Sequence, residues 1–197
     1  MLFKPELAAR IVTGAKTQTR RRHYDGDMAY LTDHLVTITH VEHNRRLKWH
    51  IGRDYAVQYG RGKPMRWYQP QTGYLLAYED YVALSENTYS VAFPDPLLRE
   101  LGFSPLRIQI TAILLQDVRA ISREDAIAEG FRPDFYPKFA FWETWCGFYD
   151  PTIVDPLLSA KKECPSVDWA PDFLWERPDH LYNAWVLEFR LKETEPC

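Results

Sequence analysis

Apolar positions near the start of the chain recur three and four residues apart. Leu7, Ala8, Ile11 and Val12 share one helical face, Pro5 suits the first turn, and Gly14 suits the stop. The period then changes. Residues 16–22, Lys-Thr-Gln-Thr-Arg-Arg-Arg, read as an extended segment, and 35–39 and 55–58 read as strands. The second of these runs into the turn Gly60-Arg61-Gly62-Lys63-Pro64, and 69–73 reads as a polar loop. Residues 78–84 and 88–93 suggest a pair of strands, an insertion hairpin. The strongest strand signal is 106–118, whose first half alternates strictly and predicts one buried face. Ser122 opens a short helix over 123–129, with Asp125 at the acidic position of a capping box and Gly130 as the stop. A helix over 139–148 places Phe139, Trp142, Trp145 and Cys146 on one face, and 185–191 alternates as a closing strand. There is no internal repeat, low-complexity tract or clean linker. The pattern is that of one α+β domain over 1–197 with a mostly antiparallel sheet.

Charge narrows the classes of partner. Lys and Arg number 24 against 27 Asp and Glu, a net charge of −3, so the chain is no generic basic coat for nucleic acid; any such site is a local patch. No segment approaches the roughly 20 apolar residues of a bilayer span. Met1-Leu2-Phe3-Lys4-Pro5-Glu6 lacks the apolar run of a signal peptide, and a cytoplasmic protein with no membrane partner is expected. Cys146, Cys164 and Cys197 are odd in number and form no C-x-x-C pair, which argues against a disulfide framework or a structural metal. The composition is unusual in its 15% aromatics and in 14 Pro against 9 Gly. Five of the 7 Trp lie between Trp142 and Trp185, and the excess points to ordered, aromatic-rich connections around a modest regular core.

Three segments together resemble the ASCH family, whose members have a PUA-like β-barrel. Ile11-Val12-Thr13-Gly14-Ala15-Lys16-Thr17-Gln18-Thr19-Arg20-Arg21 is similar to the family's helix, Gly and Lys-Thr-x-Thr-x-Arg signature. Glu124-Asp125-Ala126-Ile127-Ala128-Glu129-Gly130-Phe131 is similar to its short helix after the long strand. Asn183-Ala184-Trp185-Val186-Leu187-Glu188-Phe189 is similar to its closing strand. The match covers about half of the chain and leaves insertions around 65–105 and 132–182. The resemblance implies an α+β fold, a PUA-like/ASCH β-barrel with a few short helices and aromatic-rich insertions. It implies binding of RNA or a modified nucleoside. One bacterial branch removes the acetyl group from N-acetylated cytidine with a Lys and a Thr of the first motif and a Glu of the helix motif. Those positions fall on Lys16, Thr19 and Glu129. Other members have been linked to RNA cleavage. This chain is longer than the small deacetylating members, so the insertions are expected to form a wall or lid over a cleft.

The residues themselves leave alternatives open. Lys16 and Thr19 are three apart and would face opposite ways on a regular strand, so convergence needs a bend. If they converge, Lys16 could deprotonate Thr19 once burial lowers its pKa, with Glu129 orienting the pair or passing a proton. Otherwise Lys16 binds an anion, Thr19 donates a hydrogen bond and Glu129 ties the helix end down through an ion pair. Arg20 and Arg21 are expected to meet phosphate or line the pocket, with Arg22 and a second run at Arg45, Arg46 and Lys48 as a solvated face. Arg61 and Lys63 lie on a basic hairpin without the phosphate-loop pattern; the choice is between a pocket edge and a plain turn. His40, His43 and His50 do not share a strand face, so no metal site and no cofactor are expected. Among the Trp residues, Trp142 and Trp185 are expected in the core, while Trp145, Trp169 and Trp175 could stack bases. Cys146 reads as a buried thiol. The first expectation is an RNA- or nucleoside-binding domain with a basic cleft. The alternatives are an amidohydrolase acting on an acylated cytosine nucleoside, a ribonuclease, and a protein partner held by the aromatic insertions.

Overall fold

The computed structural model describes residues 1–22, 40–43, 46–87, 95–163, 171–177 and 182–192. In chain order the helices are α1 (Pro5–Val12), α2 (Tyr78–Asn87), α3 (Asp95–Glu100), α4 (Arg123–Ala128), α5 (Pro137–Tyr149), α6 (Val154–Glu163) and α7 (Asp172–Trp175). The strands are β1 (Gln18–Arg22), β2 (His40–His43), β3 (Arg46–His50), β4 (Asp54–Ala56), β5 (Trp67–Tyr68), β6 (Ser104–Pro105), β7 (Arg107–Asp117) and β8 (Asn183–Leu191). The protein is thus a mixture of helix and sheet. The main sheet runs β1-β8-β7-β4, and two small ribbons, β2-β3 and β5-β6, accompany it. Among the described residues these strands close into no barrel.

The chain divides into two compact units, each assembled from separated segments. The first comprises Met1–Ala15, Gly52–Ile110 and Phe189–Cys197. In it α1 buries Ala8 and Ile11, the inner positions of the expected face. Gly14 ends the helix at φ +73, a conformation that costs glycine nothing. β4 pairs antiparallel with β7, Tyr55 opposite Ile108. Phe3, Ala8, Ile11, Val57, Tyr68, Leu106, Ile108 and Phe189 form the core. A second cluster holds Trp67, Leu76, Tyr81 and Leu98.

The strand expected over 78–84 is instead the start of α2, and this corrects the sequence reading. Tyr and Val favour strands, but Tyr81 is buried and the half-buried Leu84 packs beside it three residues on, a helical spacing. Glu79 and Asp80 in the first turn complement the helix dipole. The expected strands over 35–39 and 88–93 lie outside the described residues.

The second unit comprises Lys16–Ile51 and Thr111–Glu188. There β1 pairs antiparallel with β8, with Arg20 opposite Val186 and Thr19 opposite Leu187. Its core packs Phe139, Trp142, Trp145 and Cys146 of α5 against Val118, Ile121, Leu157, Leu174, Tyr182 and Ala184. Trp142 completes its polar end by donating Nε1 to the Val118 carbonyl at 3.1 Å. Asp150 ties the segments after α5 together: it accepts from Arg177, Thr152 and Tyr182. β7 passes through both units. Its inward phase holds at Ile108 and Ile110, then shifts by one residue to Ile113, where the strand has entered the second unit.

Candidate functional site

The candidate residues from the first and second motifs meet in the second unit. The helix motif is built as the sequence suggests. Ser122 caps α4 by accepting from the Asp125 amide at 2.9 Å. At the other end the Gly130 amide reaches the Ile127 carbonyl and the Phe131 amide reaches Ala126, with Gly130 at φ +94. Glu129 is thereby fixed at the C-cap.

The first motif meets that helix end before β1 begins. The Thr17 amide donates to the Ala128 carbonyl at 2.9 Å. Lys16 is therefore not part of a regular strand, and the alternation that would send it away from Thr19 does not govern it. Lys16 is only 2% exposed. Its ammonium donates to the Gln18 carbonyl at 2.7 Å, to Glu129 Oε2 at 2.9 Å and to the Glu129 carbonyl. Burial lowers its pKa, Glu129 works in the opposite direction, and Arg21 and Arg20 lower it further.

Arg20 shares the same carboxylate through its other oxygen. Nη1 donates to Glu129 Oε1 at 3.0 Å, and Nη2 lies 3.3 Å from Asp125 Oδ2. Nε and Nη2 both donate to Gln116 Oε1, and the guanidinium sits 5.7 Å from the Phe141 ring centre. Gln18 donates to the Asp125 carbonyl and to Oδ1. Burial would raise the Asp125 pKa, but the Gln18 hydrogen bond, the Arg20 charge and the Ser122 and Gln116 contacts hold it below the ordinary carboxylate value. Arg21 is half-buried; burial lowers its pKa, and Tyr149 and Glu129 oppose that. Arg22 lies 5.8 Å from the Tyr149 ring centre. The cluster gathers three cations, Lys16, Arg20 and Arg21, around the carboxylates of Glu129 and Asp125.

Thr19 is buried at 4% and its hydroxyl makes no hydrogen bond among the described residues. The three Lys16 bonds above go to Gln18 and Glu129, none of them to Thr19. Arg61 and Lys63, also expected to bind substrate, belong to the first unit. Both are exposed on the 60–64 turn, and Lys63 donates to the Tyr78 hydroxyl at 2.9 Å. Sequence reasoning missed Gln18, Gln116 and Tyr149. Gln18 lies inside the first motif, and Asp125 was read only as a capping residue. Gln116 and Tyr149 carried no signal, because their roles depend on β7 and α5 meeting β1.

Of the aromatic candidates, Trp142, Trp145 and Trp185 are buried, Trp175 is half exposed and Trp169 lies outside the described residues. Arg45 also lies outside them, as do the side chains of Arg46, Lys48, His40 and His43. Among the described residues no three His, Cys, Asp or Glu side chains are grouped to hold a metal ion, and no helix is long and apolar enough to cross a membrane. The chain matches no protein-family model, no curated protein and no solved structure.

Proposed function

We propose that the protein is an ASCH-like, PUA-like domain of the cytoplasm that binds RNA or a modified nucleoside through the second unit. The observation that carries this reading is the convergence of Lys16, Arg20 and Glu129. Glu129 lies 113 residues from Lys16 in the chain, yet it is buried in one charged cluster with both cations. Burial of charge is costly unless it is paired, so such a cluster marks a position where the fold serves more than packing. Arg21 and Arg22 follow on β1 beside the Tyr149 ring, and the neighbouring Phe148 is 63% exposed. Cations for phosphate next to an exposed ring for a base are the two components of single-stranded recognition.

The test is RNA affinity as a function of salt. Binding should weaken linearly in log–log form, and Arg21→Gln should lower the slope by about one. A salt-independent affinity, or none, would reject the reading.

A second reading is an amidohydrolase that deacetylates an N-acylated cytosine nucleoside. The lowered Lys16 pKa and the unbonded Thr19 hydroxyl favour it. Against it, the Lys16 ammonium already directs three hydrogen bonds at carbonyl and carboxylate oxygens, and a neutral amine has only two protons to give. Binding therefore takes precedence over catalysis. Acetate release from N4-acetylcytidine, compared between wild type and Lys16→Ala, separates the two. A rate present in wild type and absent in the variant would put catalysis first. A ribonuclease is the weakest reading, and the exposed Phe135 and Tyr136 are the aromatic surface on which a protein partner would dock.

A further inference from the structure

We propose that the first unit carries a separate binding site for a small phosphate monoester, in the cleft lined by Lys63 and Arg66. The cleft has a volume of about 510 Å³, with Pro5, Tyr59, Leu75, Tyr78 and Glu79 also on its walls. This site is independent of the cluster around Lys16 and does not rest on the function proposed for it.

Arg66 is the decisive residue. It is 3% exposed, yet among the described residues it has no ion-pair partner. Its guanidinium donates only to neutral carbonyls, Nε to Gln58 at 3.2 Å and Nη2 to Phe3 at 3.3 Å. It lies 4.8 Å from the Tyr59 ring centre, and Nη1 has no hydrogen-bond partner among the described residues. Glu6 bears on Arg66 electrostatically, without an ion pair. A buried cation without a counter-ion is expensive, and an anion entering the cleft would offset that cost. The open edge of an arginine fork suits a phosphate or carboxylate oxygen.

Lys63 supplies a second cation in the lining of the same cleft. Its ammonium is anchored on the Tyr78 hydroxyl at 2.9 Å, which uses one of its three protons. Two cations fit the near-dianionic charge of a phosphate monoester at neutral pH better than a single carboxylate. Glu79, exposed on the same lining, is an acceptor for hydroxyl groups and repels longer phosphate chains. Leu75, Leu76 and Ala77 give the ligand's body an apolar surface. The combination describes a hydroxylated monoester, whether a sugar phosphate or a nucleoside monophosphate.

Isothermal titration of the full chain with ribose 5-phosphate, cytidine 5′-monophosphate and cytidine tests this. At least one monoester should bind, and Lys63→Ala should weaken it by about tenfold, the loss of one charge-assisted contact. Arg66→Lys, which keeps the charge and removes the fork, should weaken it as well, whereas Arg53→Ala, an exposed cation of the same unit outside the lining, should not. Tighter binding of the cytidine monophosphate identifies a nucleotide site, and equal binding identifies a sugar-phosphate site. The proposal is overturned if neither monoester binds, if cytidine binds as well as its monophosphate, or if Lys63→Ala leaves the affinity unchanged. Lys63 is exposed, so its variant stays informative even if Arg66→Lys fails to fold.

Discussion

Lys16 reaches Glu129 twice: its ammonium donates to the Glu129 carbonyl and, at 2.9 Å, to Oε2. The second oxygen of the same carboxylate is held by Arg20. The arrangement is asymmetric, because Glu129 answers two buried cations while each cation has further acceptors. Removing the anion and removing one cation should therefore have unequal effects.

Glu129→Ala leaves Lys16 and Arg20 facing each other without their shared counter-ion. It should destabilise the fold by about 3–5 kcal/mol, the range for an uncompensated buried charge. Lys16→Met removes a cation and leaves Glu129 paired with Arg20, so its cost should be nearer 1–3 kcal/mol, roughly that of a lost buried hydrogen-bonding group. Urea unfolding of the two variants measures both values. If Lys16→Met proves the more damaging, the picture of Glu129 as the shared anchor is wrong.

The cap of α4 positions Glu129 from the far end of the helix. Ser122→Ala removes the acceptor for the Asp125 amide and should cost about 1 kcal/mol. Ser122→Asp preserves a side-chain acceptor and should retain most of the stability. Thermal unfolding of the pair decides: equal losses would show that the hydroxyl does not cap the helix.

These local features explain what could be read from the sequence. Helix α1, strands β7 and β8, and the capped α4 follow from periodicity and punctuation that lie within each element. The Phe139, Trp142, Trp145 and Cys146 face of α5 was legible for the same reason. Helix α2 was not, because Tyr and Val favour a strand until Tyr81 finds its place in a core made by distant segments. The division into two units was also hidden, since each unit collects three or two separate stretches of chain. In the site, the motif residues Lys16, Arg20 and Glu129 were identifiable by their resemblance to a known pattern. Gln116 and Tyr149 were not, and neither was the uncompensated charge of Arg66, since a residue's lack of a partner is a property of the folded chain alone.

Cys146 sits at 0% exposure, and burial pushes its thiol up to about 11, with only partial relief from Tyr182. Thiolate is the reactive form, so at neutral pH Cys146 should resist alkylation in the folded protein and react once denaturant is added. Mass spectrometry of peptides after iodoacetamide treatment resolves this cysteine from Cys164 and Cys197. Rapid labelling of Cys146 in the native protein would show that the second unit opens readily or that the thiol is activated.

Asp150 gives a prediction with a definite sign. Its carboxylate accepts from Arg177 Nε at 2.8 Å and Nη2 at 2.9 Å, from Thr152 at 2.8 Å and from Tyr182 at 3.1 Å. Burial alone would raise its pKa, but the Arg177, Thr152 and Tyr182 hydrogen bonds and the Arg177 charge hold it below the ordinary value of 3.8. The unfolded chain then binds the proton more readily than the folded one, so folding is favoured as pH rises through this window. The stabilisation is complete above 3.8 and is lost as pH falls through the lower, folded value. Asp125 acts in the same direction. Asp150→Asn should therefore be less stable than wild type at neutral pH, and the gap should narrow as pH falls below 3.8, as the wild type alone loses the ionised contact. Urea midpoints taken at intervals across that range measure the gap. A constant difference at every pH would mean that the ionised Asp150 network contributes nothing beyond its packing.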